Sequence, residues 1–346
     1  MPPMSESRRL AIPGRRHGGA RLGQRERGVA LLIAILLVAL GTLIATSLAY
    51  DDAMTTRRTI AEFDYDQALL ITEGTEAFAA YGLQQTLRND SAATYPAQAW
   101  GQPLGPIEVA PGVTLEGSLE DLQGRFNLND LVQAGDVTPN LTAVAAFQQL
   151  LKIVGLQPVW AEDMVNWIDR NPSPVYPNGA SDTAYLEMDP PYHTPNLPIT
   201  SASELLALPG FGRARFEKIA AYVTALPVGT PLNVCSASPY VLDAFLGHQE
   251  YSADPRQFAR DRAAAGGCFP TLKEFQTAYT NTGSSGSPLN TGQLANFLRN
   301  FSEQSSWFRL STYVRSGSTE FAFYSLLYRD STSGLVRPIL RSDTPN

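Results

Sequence analysis

The chain has 346 residues, 44% of them hydrophobic and 17% charged, which excludes wholesale disorder and leaves room for one large domain or two modest ones. Two cysteines cannot build a disulfide-rich miniprotein or a four-thiolate metal site, and three widely separated histidines (His17, His193, His248) argue against a histidine-rich metal centre. The net charge is −7, but residues 1–28 carry seven arginines against two glutamates, so the remainder carries −12 and is ill suited to nonspecific nucleic-acid binding.

In chain order, the basic leader is followed by an uncharged run of 21 residues, Val29 to Ala49. As a helix rising about 1.5 Å per residue it spans roughly 30 Å, the thickness of a bilayer core. A secretory signal peptide would have a shorter apolar stretch and a small-x-small cleavage site behind it; Asp51, Asp52 and Met54 follow instead. A retained membrane span is therefore expected, with the arginines cytoplasmic and the acidic body on the far side. Residues 50–86 lack proline and keep Ile60, Phe63, Ala68, Leu70, Ile71, Phe78 and Tyr81 at helix-like spacing. This predicts one helix from about Leu31 to Thr86; the alternative is two helices meeting near Tyr50.

Pro96 to Pro111 is rich in proline and glycine and reads as a loop. Val113–Leu119 and Gly124–Leu128 alternate apolar and polar residues and read as short strands. A second strand series is expected at Ser306–Val314, Glu320–Arg329 and Val336–Arg341. Between the two groups the pattern is mostly helical, at Leu141–Leu151, Ala161–Ile168, Ser203–Leu208, Arg213–Ala225, Pro239–Leu246, Pro255–Ala265 and Leu272–Tyr279, with a polar loop at Thr280–Gly292.

The junction between leader and apolar run is the most specific feature. Arg27-Gly28 followed by an uncharged stretch from Val29 resembles the signal of type IV pilins and pseudopilins. In that family prepilin peptidase cuts after the glycine and the new N-terminus is methylated, which would make Gly28 and Val29 the processing pair. Most members carry Glu at the fifth mature position, which here is Ile33. Loss of that acid resembles the K-type minor pseudopilin of type II secretion, placed at the filament tip. The segments SLEDLQGRFNLNDL at 118–131, WIDRNPSPVYPNGASDTAYL at 167–186, PPYHTPNLPITSASEL at 190–205 and PLNVCSAS at 231–238 carry the same resemblance. It implies an α+β fold: a pilin-like long N-terminal helix packed on an antiparallel sheet, with a large inserted α-helical domain containing a helix-hairpin-helix-like unit. The implied organisation is a cytoplasmic leader at 1–28, a transmembrane half-helix at 29–49, a periplasmic helix with the first strands at 50–129, the inserted helical domain at 130–300, and closing strands at 301–346. The implied role is to initiate and cap the periplasmic pseudopilus. The implied partners are the I and J minor pseudopilins, with the H type a further candidate, together with prepilin peptidase, the inner-membrane platform of the secretion system and membrane lipid.

Four further features bear on function. Asp169, Asn171 and Ser173 stand at alternate positions of a loop, a spacing of oxygen donors that suits calcium. Pro174 and Ala180 occupy the places where an EF-hand needs Gly and Glu, so this is no EF-hand. The family's calcium loop resembles D-x-D followed by G-A-E-D-x-x-Y; Asp169 and Asp182 match it, while Asn171 and Ser181 replace acids. The expected metal residues are thus Asp169, Asn171 and Asp182, the alternative being an ordinary turn-rich loop. Cys235 and Cys268 would be exported to a disulfide-permitting compartment, where they either pair or remain buried thiols. LPGFGRARFEKI, Leu208 to Ile219, resembles a helix-hairpin-helix, which supports a second reading as a membrane-anchored DNA-uptake receptor. Three basic residues beside Glu217 in so acidic a body weigh against it, and no nucleic-acid partner is expected. Finally, the sequence has no G-x-S-x-G, no H-E-x-x-H and no Walker A motif, and no catalytic residues are nominated.

Overall fold

The computed structural model describes residues 25–89, 92–133, 135, 138–170, 179–282 and 289–345. The chain divides into two compact units, the first ending at Phe63 and the second running from Asp64 to Asn346. One helix, α1 (Arg25–Asn89), passes through the division, so the alternative of two helices meeting near Tyr50 does not hold.

In the first unit, Val29 to Leu48 present leucine, isoleucine and valine around the whole helix, and none of its most apolar window is buried. A helix apolar on every side has no preferred face for a protein core and calls for lipid or other helices. In the second unit the helix becomes amphipathic. Ala68, Thr72, Thr75, Ala79, Leu83 and Thr86 recur at three- and four-residue intervals and are buried. Facing that stripe are strands β1 (Leu104–Ala110) and β2 (Val113–Asp121).

The chain then leaves the sheet for a long excursion. It holds β3 (Phe126–Asn127), α2 (Leu141–Ile153), α3 (Trp160–Ile168), α4 (Asp182–Leu186), α5 (Gly212–Ile219), β4 (Val223–Thr224), β5 (Leu232–Asn233), α6 (Pro239–Leu246), α7 (Pro255–Ala264), α8 (Leu272–Thr282), α9 (Thr291–Asn300) and β6 (Phe301–Ser302). It returns as β7 (Trp307–Ser316), β8 (Thr319–Arg329) and β9 (Val336–Ser342). The five long strands form one antiparallel sheet in the order β1-β2-β7-β8-β9. Alternate residues of β7 and β8, among them Phe308, Leu310, Val314, Phe323 and Leu327, form two small cores with α1. The excursion has its own larger core around Phe126, Phe147, Leu150, Met164, Phe211 and Phe275.

The structure departs from the sequence reading at four places. Leu104–Ala110, expected as loop, is an edge strand; its side chains are mostly exposed, so it carries no alternating pattern to read. Gly124–Leu128, expected as one strand, is strand only at Phe126–Asn127, and its ends belong to 3-10 turns at Leu122–Gly124 and Leu128–Leu131. Asp121 and Asn127 each accept a hydrogen bond from the backbone N–H two residues on, which bends the chain there. The helix expected over Arg213–Ala225 stops at Ile219, because Val223–Thr224 pairs in parallel with Phe126–Asn127. Helix α9 begins inside the segment expected to be loop, opened by a reciprocal pair of hydrogen bonds between Asn290 and Gln293.

Candidate functional site

The exposed half of α1 is the first functional element. Gly28 and Val29 lie within the helix, and Ile33 is 51% exposed. A Cβ built on Gly28 meets nothing within 4 Å, so the fold itself places no demand for glycine there.

The loop after α3 is the second element. Asp169 caps the C-terminus of α3 and is buried, its N–H bonded to the Val165 carbonyl at 2.8 Å. Asn171 lies outside the described residues. Where the chain reappears, Asp163 Oδ1 accepts from the Ala180 N–H at 2.5 Å and Asn166 Nδ2 donates to the Ala180 carbonyl at 3.4 Å. Both ends of the loop are thus tied to α3. Asp182 opens α4; its Oδ1 accepts from the Thr194 N–H at 3.1 Å and its Oδ2 faces His193 Nδ1 at 2.8 Å. These contacts, the Thr194 N–H first, hold its carboxyl below the usual carboxylate range. Burial pushes the Asp163 carboxyl the other way. The donor chemistry fits calcium, since Asp169 and Asp182 are hard oxygen ligands on a loop anchored at both ends. Among the described residues, however, these two do not join any cluster of three His, Cys, Asp or Glu ligands. The one such cluster is Cys235, Cys268 and Glu303, and its sulfurs are bonded to each other.

Cys235 and Cys268 form a disulfide across 33 residues, joining the segment after β5 to the approach to α8. Arg262 reinforces the same corner, donating to the carbonyls of Phe269 and Ala237 at 2.9 and 2.7 Å.

The basic residues around the glycine turn before α5 are exposed, and two of them are engaged by neighbouring groups. Arg215 donates to the Gly210 and Phe211 carbonyls and lies over the Trp160 ring, and Arg213 pairs with Glu217.

Sequence reasoning missed the joint between sheet and excursion. Asp121 at the end of β2 accepts from Ser305 Oγ at 2.6 Å and Asn233 Nδ2 at 2.9 Å. Gln123 Oε1 accepts from the Ser306 and Trp307 N–H groups, while its Nε2 donates to the Pro231 carbonyl. Arg329, 2% exposed at the end of β8, donates to the Leu83 and Ser305 carbonyls and to Thr94 Oγ1. One signal was available: Arg329 continues the inward series Phe323, Ser325, Leu327, where a charge is out of place without a buried partner.

A long N-terminal helix, exposed and apolar in its first half and seated on an antiparallel sheet in its second, together with a large excursion between two neighbouring strands, defines a pilin-like α+β protein. A family model described as type II secretion system (T2SS), protein K matches residues 124–228. The type II secretion system protein K of Klebsiella pneumoniae is 31% identical over 255 residues, covering 71% of this chain and 78% of the relative. That of Pseudomonas aeruginosa is 30% identical over 268 residues, covering 75% and 78%. Among solved structures, a chain of the GspK-GspI-GspJ complex from enterotoxigenic Escherichia coli matches with a TM-score of 0.67 at 21% identity, covering 82% of this chain and 98% of that one. The chain belongs to the type II secretion system protein K family.

Proposed function

We propose that the chain is the minor pseudopilin that initiates and caps the periplasmic pseudopilus of a type II secretion system, through which folded proteins are exported across the outer membrane. The observation that carries this reading is Ile33, an apolar residue within the exposed, acid-free stretch of α1 from Val29 to Ala49. Cleavage after Gly28 would leave a free amine on Val29. In a stacked helical filament each such amine needs a counter-charge from a neighbour, because a buried unpaired charge costs several kcal/mol. A subunit that offers Ile33 supplies none, and so belongs where no subunit stacks above it. The bulky helical excursion agrees with an end position.

The same reading assigns prepilin peptidase to the Gly28–Val29 bond, methylation to the new Val29 amine, and inner-membrane lipid to the run from Val29 to Ala49. The acidic domain then lies in the periplasm, an oxidising compartment consistent with the Cys235–Cys268 disulfide. The solved relative was crystallised with GspI and GspJ, and I- and J-type minor pseudopilins are the partners that follow, together with the inner-membrane platform. Calcium, where present, would be held by Asp169, Asn171 and Asp182 and would neutralise carboxylates around the loop. The role is structural; no catalytic residue is assigned.

The test is co-purification of the full chain in detergent with the I- and J-type pseudopilins, with and without a calcium chelator. A stable complex is expected, weakened by chelation. Failure to associate in either condition would overturn the tip assignment.

A further inference from the structure

The helical excursion contains a cleft that none of these roles uses. It encloses about 590 Å³ beside the turn that follows β3. Asn127 and Asp130 line one part of it, and Phe245, Tyr279 and Phe297 supply aromatic wall. Asp130 is the one carboxylate among the described lining residues. Its Oδ1 accepts from the Gly229 N–H at 2.7 Å, and the Asn127 side chain also bonds it. No ion pair reaches it among the described residues. Of the two arginines on the lining, Arg125 is committed to Glu120 and to the Ala220 carbonyl, and Arg299 forms no salt bridge with Asp130.

Burial pushes the Asp130 carboxyl up to about 6, as expected of a carboxylate whose lost hydration is not balanced by a nearby cation. At neutral pH it remains ionised. A half-buried anion in a partly aromatic cleft suits an organic cation: the carboxylate supplies charge and hydrogen bonds, and ring faces attract the flat cationic head. We propose that this cleft binds a basic side chain, guanidinium or ammonium, presented by a partner protein, with Asp130 as its counter-ion. Calcium fits less well, because it takes six to eight oxygens and the cleft offers a single carboxylate.

The probe is the tripeptide acetyl-Gly-Arg-Gly-amide, titrated calorimetrically into the full chain in detergent. Its neutral counterpart carries citrulline, of nearly the same shape, in place of arginine. A dissociation constant on the order of 1 mM is expected for one such contact. At least tenfold weaker binding is expected for the citrulline peptide and for Asp130→Asn, which keeps the Oδ1 acceptor for Gly229 and whose folding is checked by thermal melting. Tyr279→Leu should weaken the arginine peptide several-fold through loss of the ring face. Equal affinity for the two peptides, unchanged affinity in Asp130→Asn, or no heat at about 10 mM arginine peptide would each overturn the proposal. So would displacement of the peptide by millimolar calcium, which would make this a metal site.

Discussion

Arg329 offers the sharpest test of how the two parts of the second unit are joined. Its guanidinium donates to the Leu83 carbonyl at 3.3 Å, to Thr94 Oγ1 at 2.8 Å and to the Ser305 carbonyl at 2.7 Å, and lies 5.1 Å from the centre of the Phe308 ring. Burial lowers its pKa and the Asp121 carboxylate partly opposes that shift, while burial raises the pKa of Asp121 itself. Arg329→Met preserves most of the side-chain volume but removes the charge and all three hydrogen bonds. Hydrogen bonds to charged groups contribute about 1.5–3 kcal/mol each, are not additive, and leave their buried acceptors unsatisfied when removed. We expect a loss of about 3–5 kcal/mol. At about 2–4 °C per kcal/mol for a domain of this size, Tm should fall by on the order of 10 °C. The assay is thermal unfolding of the full chain followed by near-ultraviolet circular dichroism. Combining Arg329→Met with Asp121→Asn should cost less than the two single changes summed, since the two charges interact and share Ser305 in one network. A Tm within about 2 °C of the parent, or strict additivity in the double mutant, would refute the reasoning.

Three further outcomes are expected. Because the folded chain raises the Asp130 pKa to about 6, it retains a proton that the unfolded chain gives up near pH 4; this contribution to stability is full below about pH 4 and is lost as pH rises through about 6. Asp130→Asn should therefore raise the free energy of unfolding more at pH 7.5 than at pH 4, by a margin on the order of 1–3 kcal/mol, and a pH-independent effect would contradict the assignment. Gly28→Leu should leave the fold intact, since no atom crowds that position, yet abolish removal of the leader; N-terminal sequencing of the membrane-extracted product reads the result, and normal processing at Val29 would count against the peptidase assignment. Replacing Cys235 and Cys268 with alanine frees a loop of 33 residues and should cost about 3–4 kcal/mol by chain entropy, measured by denaturant unfolding; an unchanged midpoint would show that the surrounding core already closes the loop.

The features legible in the sequence are those governed by local pattern. The apolar run from Val29 to Ala49 needs only hydropathy, and the long strands β7 and β8 show clear alternation because one face of each meets α1. The helix α6 matches its expected span, Pro239–Leu246, because its signals are local: Pro at the first turn, Ser238 as cap and Gly247 at positive φ beyond the end. What stayed hidden depends on partners far away in the chain. The strand Leu104–Ala110 is held by backbone pairing to β2 and buries little, so its composition looked like loop. The two-residue strands exist because distant segments meet there, Phe126 with Val223 and Leu232 with Phe301. At the candidate metal loop the acids were readable, but not that Thr194 and His193 already engage Asp182.

The placement of the excursion explains how a pilin-like sheet tolerates so large an addition. Strands β2 and β7 pair along their whole length, from Val113 opposite Ser316 to Asp121 opposite Phe308, as consecutive strands of a hairpin would. The excursion therefore replaces a hairpin loop and interrupts no ladder. Loop-closure entropy grows only with the logarithm of length, so lengthening such a loop costs little. What must be secured is the point of exit and return, and here the polar residues concentrate. Gln123 meets the Trp307 N–H across 184 positions of sequence, Asp121 meets Ser305 directly, and Asn233 Nδ2 lies within hydrogen-bond distance of Asp121, Ser305 and the Thr94 carbonyl. Parallel pairing of β5 with β6 closes the same neck from within the excursion. A buried neck built from hydrogen bonds, each donor matched to an acceptor, restricts geometry more than an apolar contact would, because any rotation leaves several groups unsatisfied together. The excursion is thus held as a fixed extension of the sheet, as a subunit that caps a filament requires.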